Sequence, residues 1–200
     1  QEKKFVERVH GKYLWYSQHG DPTFQPSLLY MSTELAKPTT RTVEAAERIV
    51  GYAEKHPNRG VHYRASDMIL KIQSDASHHG LPGSRSVAGG IFYLTDKNDP
   101  PEKLNGQIDT LCKIVDTSVC ASASESEYAT LYMNGQRGCH PRVILNELGY
   151  TQPPTTIYTD NIVAKGIAHD EVTLRRSKAV HTRYHWIRDR VRQNQYNIRY

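Results

Sequence analysis

Met68-Ile69-Leu70-Lys71-Ile72-Gln73-Ser74-Asp75 is the stretch on which the fold turns. Met68, Leu70 and Ile72 alternate with Ile69, Lys71 and Gln73, the period-two pattern of a strand with one face buried, and Asp75 is expected to end it. A polar loop containing Gly80 and Gly83 is expected over residues 78–84. Residues 86–95 read as a second strand, and Gly89-Gly90 inside it marks a bulge or a close backbone approach. After a turn at residues 96–101, residues 106–115 read as a third strand.

Downstream of these strands the period changes. Ser122 or Ser124 is placed to cap a helix carrying Tyr128, Leu131 and Tyr132, and a second helical stretch is expected over residues 141–148. Pro153-Pro154 leads into a short apolar strand over residues 156–159. A short helix from Asn161 and a basic helix over residues 177–192 follow, with a last strand over residues 195–200. The predicted order is three strands, two helices, a strand, two helices and a closing strand.

Upstream, residues 1–60 read as a small helical segment. Phe5, Val9, Tyr13 and Tyr16 recur at helical spacing until His19-Gly20-Asp21-Pro22 breaks the pattern. Leu28, Met31 and Leu35 form a second short stripe, stopped by Pro38. Thr39 or Thr40 is placed to cap a third helix with Val43, Ala46, Ile49, Val50 and Ala53 on one face. His56-Pro57-Asn58-Arg59-Gly60 ends it. The domains expected are therefore residues 1–60, helical, and residues 61–200, an α/β domain.

Composition narrows the function classes. With 38% hydrophobic and 24% charged residues the chain has enough apolar mass for a real core. No apolar run approaches the roughly 20 residues of a membrane helix, so no membrane partner is expected. The three cysteines, Cys112, Cys120 and Cys139, include no pair at zinc-site spacing, and an odd count does not suggest a disulfide framework. The chain starts at Gln1 without an initiator Met, which points to a processed product or a fragment and leaves the compartment open. The net charge of +5 is concentrated. Residues 175–200 carry eight basic groups and one acid, for +7, so the other residues sum to −2. Arg175, Arg176, Lys178, Arg183, Arg188, Arg190 and Arg192 make a basic patch suited to a polyanion, and arginine binds phosphate through two parallel donors.

Three acids stand where strand ends and helix starts gather ligands: Asp75 after the first strand, Glu127 early in the helix after the third, and Asp160 after the fourth. Two-metal hydrolysis of phosphodiesters needs carboxylates converging from separate elements, and Mg²⁺ takes such hard oxygen ligands. Glu125 competes with Glu127 on residues alone, since an acid in a first helical turn is also favoured by the helix dipole.

Five blocks resemble the ribonuclease H domain of copia-type retrotransposon polyproteins. They are Gln73-Ser74-Asp75-Ala76-Ser77, Arg85-Ser86-Val87-Ala88-Gly89-Gly90, Ser124-Glu125-Ser126-Glu127-Tyr128-Ala129, Thr159-Asp160-Asn161, and the run from Arg176 to Asp189 containing His181-Thr182-Arg183-Tyr184-His185-Trp186. The run from Phe5 to Tyr16, Pro38-Thr39 with the run from Ala45 to Tyr52, and Val61-His62-Tyr63 resemble the segment that joins reverse transcriptase to that domain. The resemblance implies a mixed five-stranded sheet flanked by helices. It implies hydrolytic, endonucleolytic cleavage of the RNA strand of RNA–DNA hybrids, with Asp75, Glu127 and Asp160 holding two Mg²⁺ ions and the basic helix tracking phosphates.

This chain departs from the family at two points. His181 stands where the family usually has Asp before Arg-Tyr-His. The family's further segment with Ala-Asp and Thr-Lys-Pro does not appear, so the second domain is expected to be C-terminally truncated relative to the family. The alternative reading is a domesticated, catalytically impaired subunit that binds RNA or a hybrid, or serves structurally, in a larger ribonucleoprotein assembly.

Overall fold

In the computed structural model, residues 1–98, 100–115, 119–172 and 185–200 are described. They divide into two units, Gln1–His62 and Tyr63–Tyr200.

In the first unit, the predicted helical stripes become α1 (Glu2–His19), α2 (Gln25–Ser32) and α3 (Thr40–Lys55), with a 3-10 turn at Pro22–Phe24. Val6 and Val9 meet Phe24, Leu28 and Met31, and Ala46 and Ile49 of α3 close this core. Asp21 and Pro22 stop α1 and start the turn, where the Asp21 carboxylate accepts the Thr23 N–H at 3.0 Å. Thr39 caps α3 reciprocally: its hydroxyl accepts the Thr42 N–H at 3.4 Å, and its own N–H donates to the Thr42 hydroxyl at 3.0 Å. Thr39→Ala is expected to cost this unit about 1 kcal/mol, measured as a lowered midpoint in urea.

In the second unit, alternation does what it predicted, over a longer span. β1 (Ile69–Leu81) pairs antiparallel with β2 (Arg85–Thr95), and β2 pairs antiparallel with β3 (Gln107–Ile114). β4 (Thr155–Tyr158) joins β1 in parallel, and β5 (Tyr196–Arg199) joins β4 in parallel. The sheet order is β3-β2-β1-β4-β5, an open mixed sheet consistent with a ribonuclease-H-like fold. The loop expected over residues 78–84 shrinks to the turn at residues 82–84, because cross-strand pairing carries β1 on to Leu81. Asp75 thus lies inside a strand rather than at its end.

α4 (Ala123–Glu147) packs on one sheet face, where Leu70, Ile72 and Phe92 meet Tyr128 and Leu131. Two helices are expected over this region, yet one runs through Pro141. Proline removes one backbone donor, but both halves are anchored to the sheet unit. Gly138 lies against Ile72 and Tyr196, and Leu145 is buried. Arg137 grips Asp109 of β3 with two bonds of 2.6 Å. α5 (Ile162–Ala168) and α6 (Trp186–Arg192) complete the described elements, and Ile187 of α6 is fully buried. Arg175 and Arg176, and the first part of the predicted basic helix with Lys178, His181 and Arg183, lie outside the described residues.

Candidate metal centre

Register brings the acids together. Gln73 of β1 is abreast of Tyr158 of β4, so two residues further along each parallel strand direction Asp75 and Asp160 stand side by side. Asp160 is held there by its neighbours. The Thr159 N–H donates to the Arg199 carbonyl at 2.9 Å, and Asn161 caps α5 by accepting the Ala164 N–H at 2.9 Å. Glu127 arrives from the second turn of α4. That helix starts at Ser122, whose hydroxyl accepts the Glu125 N–H at 3.2 Å, while the Glu125 carboxylate accepts the Ala121 N–H at 2.7 Å. The choice between the two glutamates is decided by this geometry: Glu125 serves the helix start, and Glu127 faces the sheet.

Each of Asp75, Glu127 and Asp160 offers an oxygen, and the three oxygens lie within 4.8 Å of one another. Asp75 and Asp160 are exposed, whereas Glu127 is 6% exposed. One Glu127 oxygen accepts the Ala76 N–H at 3.1 Å, and the other, Oε2, is buried with no hydrogen-bond partner. Burial pushes the Glu127 carboxyl up to about 7; the Ala76 bond opposes this, and the negative charges of Asp75 and Asp160 add to it. A buried, unpartnered carboxylate oxygen beside two further carboxylates is a poor arrangement for the protein alone and a suitable one for a divalent cation with oxygen ligands.

Asn134, which nothing in the sequence singles out as functional, ties the helix that carries Glu127 to β1 and β2. It follows Glu127 by seven residues, two turns along the same face of α4. It is fully buried, and its Nδ2 donates to the Ser74 hydroxyl and the Gly89 carbonyl, both at 2.9 Å. Ser74 precedes Asp75, so this contact joins helix and strand beside the acids. The available signal was spacing alone: a polar residue seven positions after an acid.

The described basic residues of α6 have partners within the chain. Arg188 and Arg192 both bond Asp170, and Arg190 lies over the Trp186 ring at 5.0 Å.

The raised Glu127 value has a stability consequence. An unfolded glutamate titrates near 4.5 and the folded one near 7, so the folded state binds this proton more tightly. Stability of the metal-free protein should fall as pH rises from about 4.5 to about 7 and stay low above that. Glu127→Gln is expected to remove this slope and to stabilise the metal-free fold at pH 8 by about 3 kcal/mol. Mg²⁺ should raise the melting temperature of the wild-type protein at pH 8 and leave that of Glu127→Gln nearly unchanged. Thermal melts at several pH values, with and without Mg²⁺, check both.

Sheet order and three convergent carboxylates define an α/β domain of ribonuclease-H-like architecture with a candidate cation centre. The chain is similar to the retrovirus-related Pol polyprotein from transposon TNT 1-94 of Nicotiana tabacum, at 27% identity over 162 residues. That stretch is 80% of this chain and 11% of the tobacco protein, so the chain spans about a tenth of its relative's length. The similarity supports a retrotransposon polyprotein origin. No family model matches the chain, and no solved structure matches it.

Proposed function

We propose that the unit Tyr63–Tyr200 is a copia-type ribonuclease H that cuts the RNA strand of RNA–DNA hybrids, and that residues 1–60 are the segment connecting it to a reverse transcriptase. One observation carries this reading: carboxylates from β1, α4 and the β4–α5 turn meet within 4.8 Å, and the buried one keeps an oxygen free of protein partners. The likeness to a retrotransposon Pol polyprotein supports it.

Asp75, Glu127 and Asp160 would hold two Mg²⁺ ions. When bound, the ions supply an activated water and stabilisation of charge on the phosphate and the leaving oxygen. The rest falls to the chain. Asp75 on β1 and Asp160 just after β4, both exposed, face the substrate side. Glu127, pushed up to about 7 by burial, is only partly ionised near neutrality in the metal-free centre and would ionise fully when the charge there is compensated. Asn134 fixes the distance between α4 and β1. Arg188, Arg190 and Arg192, with Arg175, Arg176, Lys178 and Arg183 before them, take the phosphates, so the duplex is recognised by backbone shape rather than by base identity.

The test is a labelled RNA–DNA hybrid incubated with the purified chain and Mg²⁺. The RNA strand should be cut, duplex DNA should survive, and Asp75→Asn should be inactive. An intact hybrid, or cleavage that persists in Asp75→Asn, defeats the reading. A second reading is a catalytically impaired binding subunit of a larger ribonucleoprotein assembly. It is favoured by His181, which stands where the resembled family has Asp. Its signature is salt-sensitive hybrid binding without turnover.

A further inference from the structure

Arg188 and Arg192 are one turn apart on α6 and point at a single carboxylate. Arg188 donates from Nη1 to one Asp170 oxygen at 2.8 Å, and Arg192 donates from Nη2 to the other. Each oxygen takes a different guanidinium. A phosphodiester bridges two arginines through its two non-bridging oxygens in the same way.

The carboxylate is presented deliberately by the backbone. Asp170 follows α5 with φ of 63°, a left-handed position that non-glycine residues adopt uncommonly. Its N–H bonds the Ile167 carbonyl at 3.2 Å, and the preceding His169 ring bonds the Ile198 carbonyl of β5 at 2.9 Å. The Asp170 side chain is therefore anchored from behind and open in front, 46% exposed, facing Arg192 at 60% and Arg188 at 31%. Hydrogen bonding from Arg192, with the nearby positive charge of both arginines, holds the carboxyl below its ordinary value, so it stays ionised.

We infer that Asp170 is a phosphate stand-in: it occupies the anion position of the Arg188–Arg192 pair and must be displaced when nucleic acid binds there. This rests on the proposed binding of a hybrid by α6. Exposed ion pairs are weak and screened by salt, so a phosphate can win the exchange. The exchange nevertheless lowers affinity, because the freed carboxylate is left beside the incoming phosphates. Asp170 would thereby keep the arginines from gripping polyanions indiscriminately.

The experiment measures binding of a short RNA–DNA hybrid to the full chain, in EDTA to prevent turnover, over a series of NaCl concentrations. Asp170→Asn is expected to bind about fivefold more tightly than wild type at low salt. The plot of log affinity against log salt should steepen by about one, since the wild-type exchange hands a cation back to Asp170. Asp170→Glu, which keeps the charge, should behave as wild type. Arg192→Ala should weaken binding more in the Asp170→Asn background than alone, a coupling that a merely structural ion pair would not produce. Asp170→Ser gives the same reading should the asparagine variant fold poorly by circular dichroism. Wild-type binding that is unchanged or weakened by both neutral variants overturns the inference and leaves the hybrid-binding proposal standing. Absence of binding by every protein overturns both.

Discussion

Asp75→Asn is expected to lower the rate of hybrid cleavage by about a thousandfold and to leave the fold intact or slightly more stable. Under the proposed function, the activity loss follows from removing one of three proposed ligands: stabilisation of developing charge by a bound cation is worth several kcal/mol, and each 1.4 kcal/mol is a factor of about ten. The stability gain follows from the same cluster. With no cation, Asp75 raises the energy of the ionised Glu127 carboxylate beside it. An amide there removes that repulsion. Single-turnover cleavage and metal-free thermal melts, run on the same variant, should move in opposite directions. A residue that merely holds the fold together would lose both, so a large fall in melting temperature for Asp75→Asn would reassign it to structure.

The second large effect is steric. A Cβ at Gly90 would sit 1.9 Å from the Asn134 Oδ1 atom, inside a contact that no relaxation of a flexible chain end relieves, because Asn134 is fully buried and tied to Ser74 and Gly89. Gly90→Val is expected to destabilise the Tyr63–Tyr200 unit by about 3 kcal/mol. This corresponds to roughly 10 °C in melting temperature for a unit of this size. The same change pushes α4 off β1 and β2, and with it Glu127, so Mg²⁺ affinity should fall as well. A double variant tests the cause. Asn134→Ala removes the obstructing oxygen, so Gly90→Ala should cost much less in that background than alone. Additive costs would show that the glycine is needed for some other reason.

The pair Gly89-Gly90 shows how far local sequence reached. Two glycines in an otherwise apolar strand announce either a bulge or a close approach. The β2–β3 ladder passes Gly89 and Gly90 in unbroken register and shifts only at Phe92/Tyr93, so the reason is the approach of Asn134. No local feature of residues 85–95 contains that fact, because the partner lies some 45 residues later.

Local sequence by itself determined the three stripes of residues 1–60, the alternation that became β1 and β2, and the helix starts to within a residue or two, at Thr39 or Thr40, at Ser122 or Ser124, and near Asn161. These follow from short-range physics, in which side-chain spacing and one hydrogen bond to a helix start suffice. The boundaries that failed did so where pairing or packing outweighs local preference. β1 continues to Leu81 because β2 lies beside it, and α4 continues through Pro141 because both of its halves are held against the sheet unit. The candidate centre divides in the same way. Its residue types and their order along the chain are visible in Asp75, Glu127 and Asp160. Their convergence within 4.8 Å depends on the parallel register of β1 with β4 and on the face that α4 turns to the sheet. The basic patch was legible as charge, but only the folded chain placed Asp170 against Arg188 and Arg192, since electrostatic partners are chosen by distance in space and not in sequence.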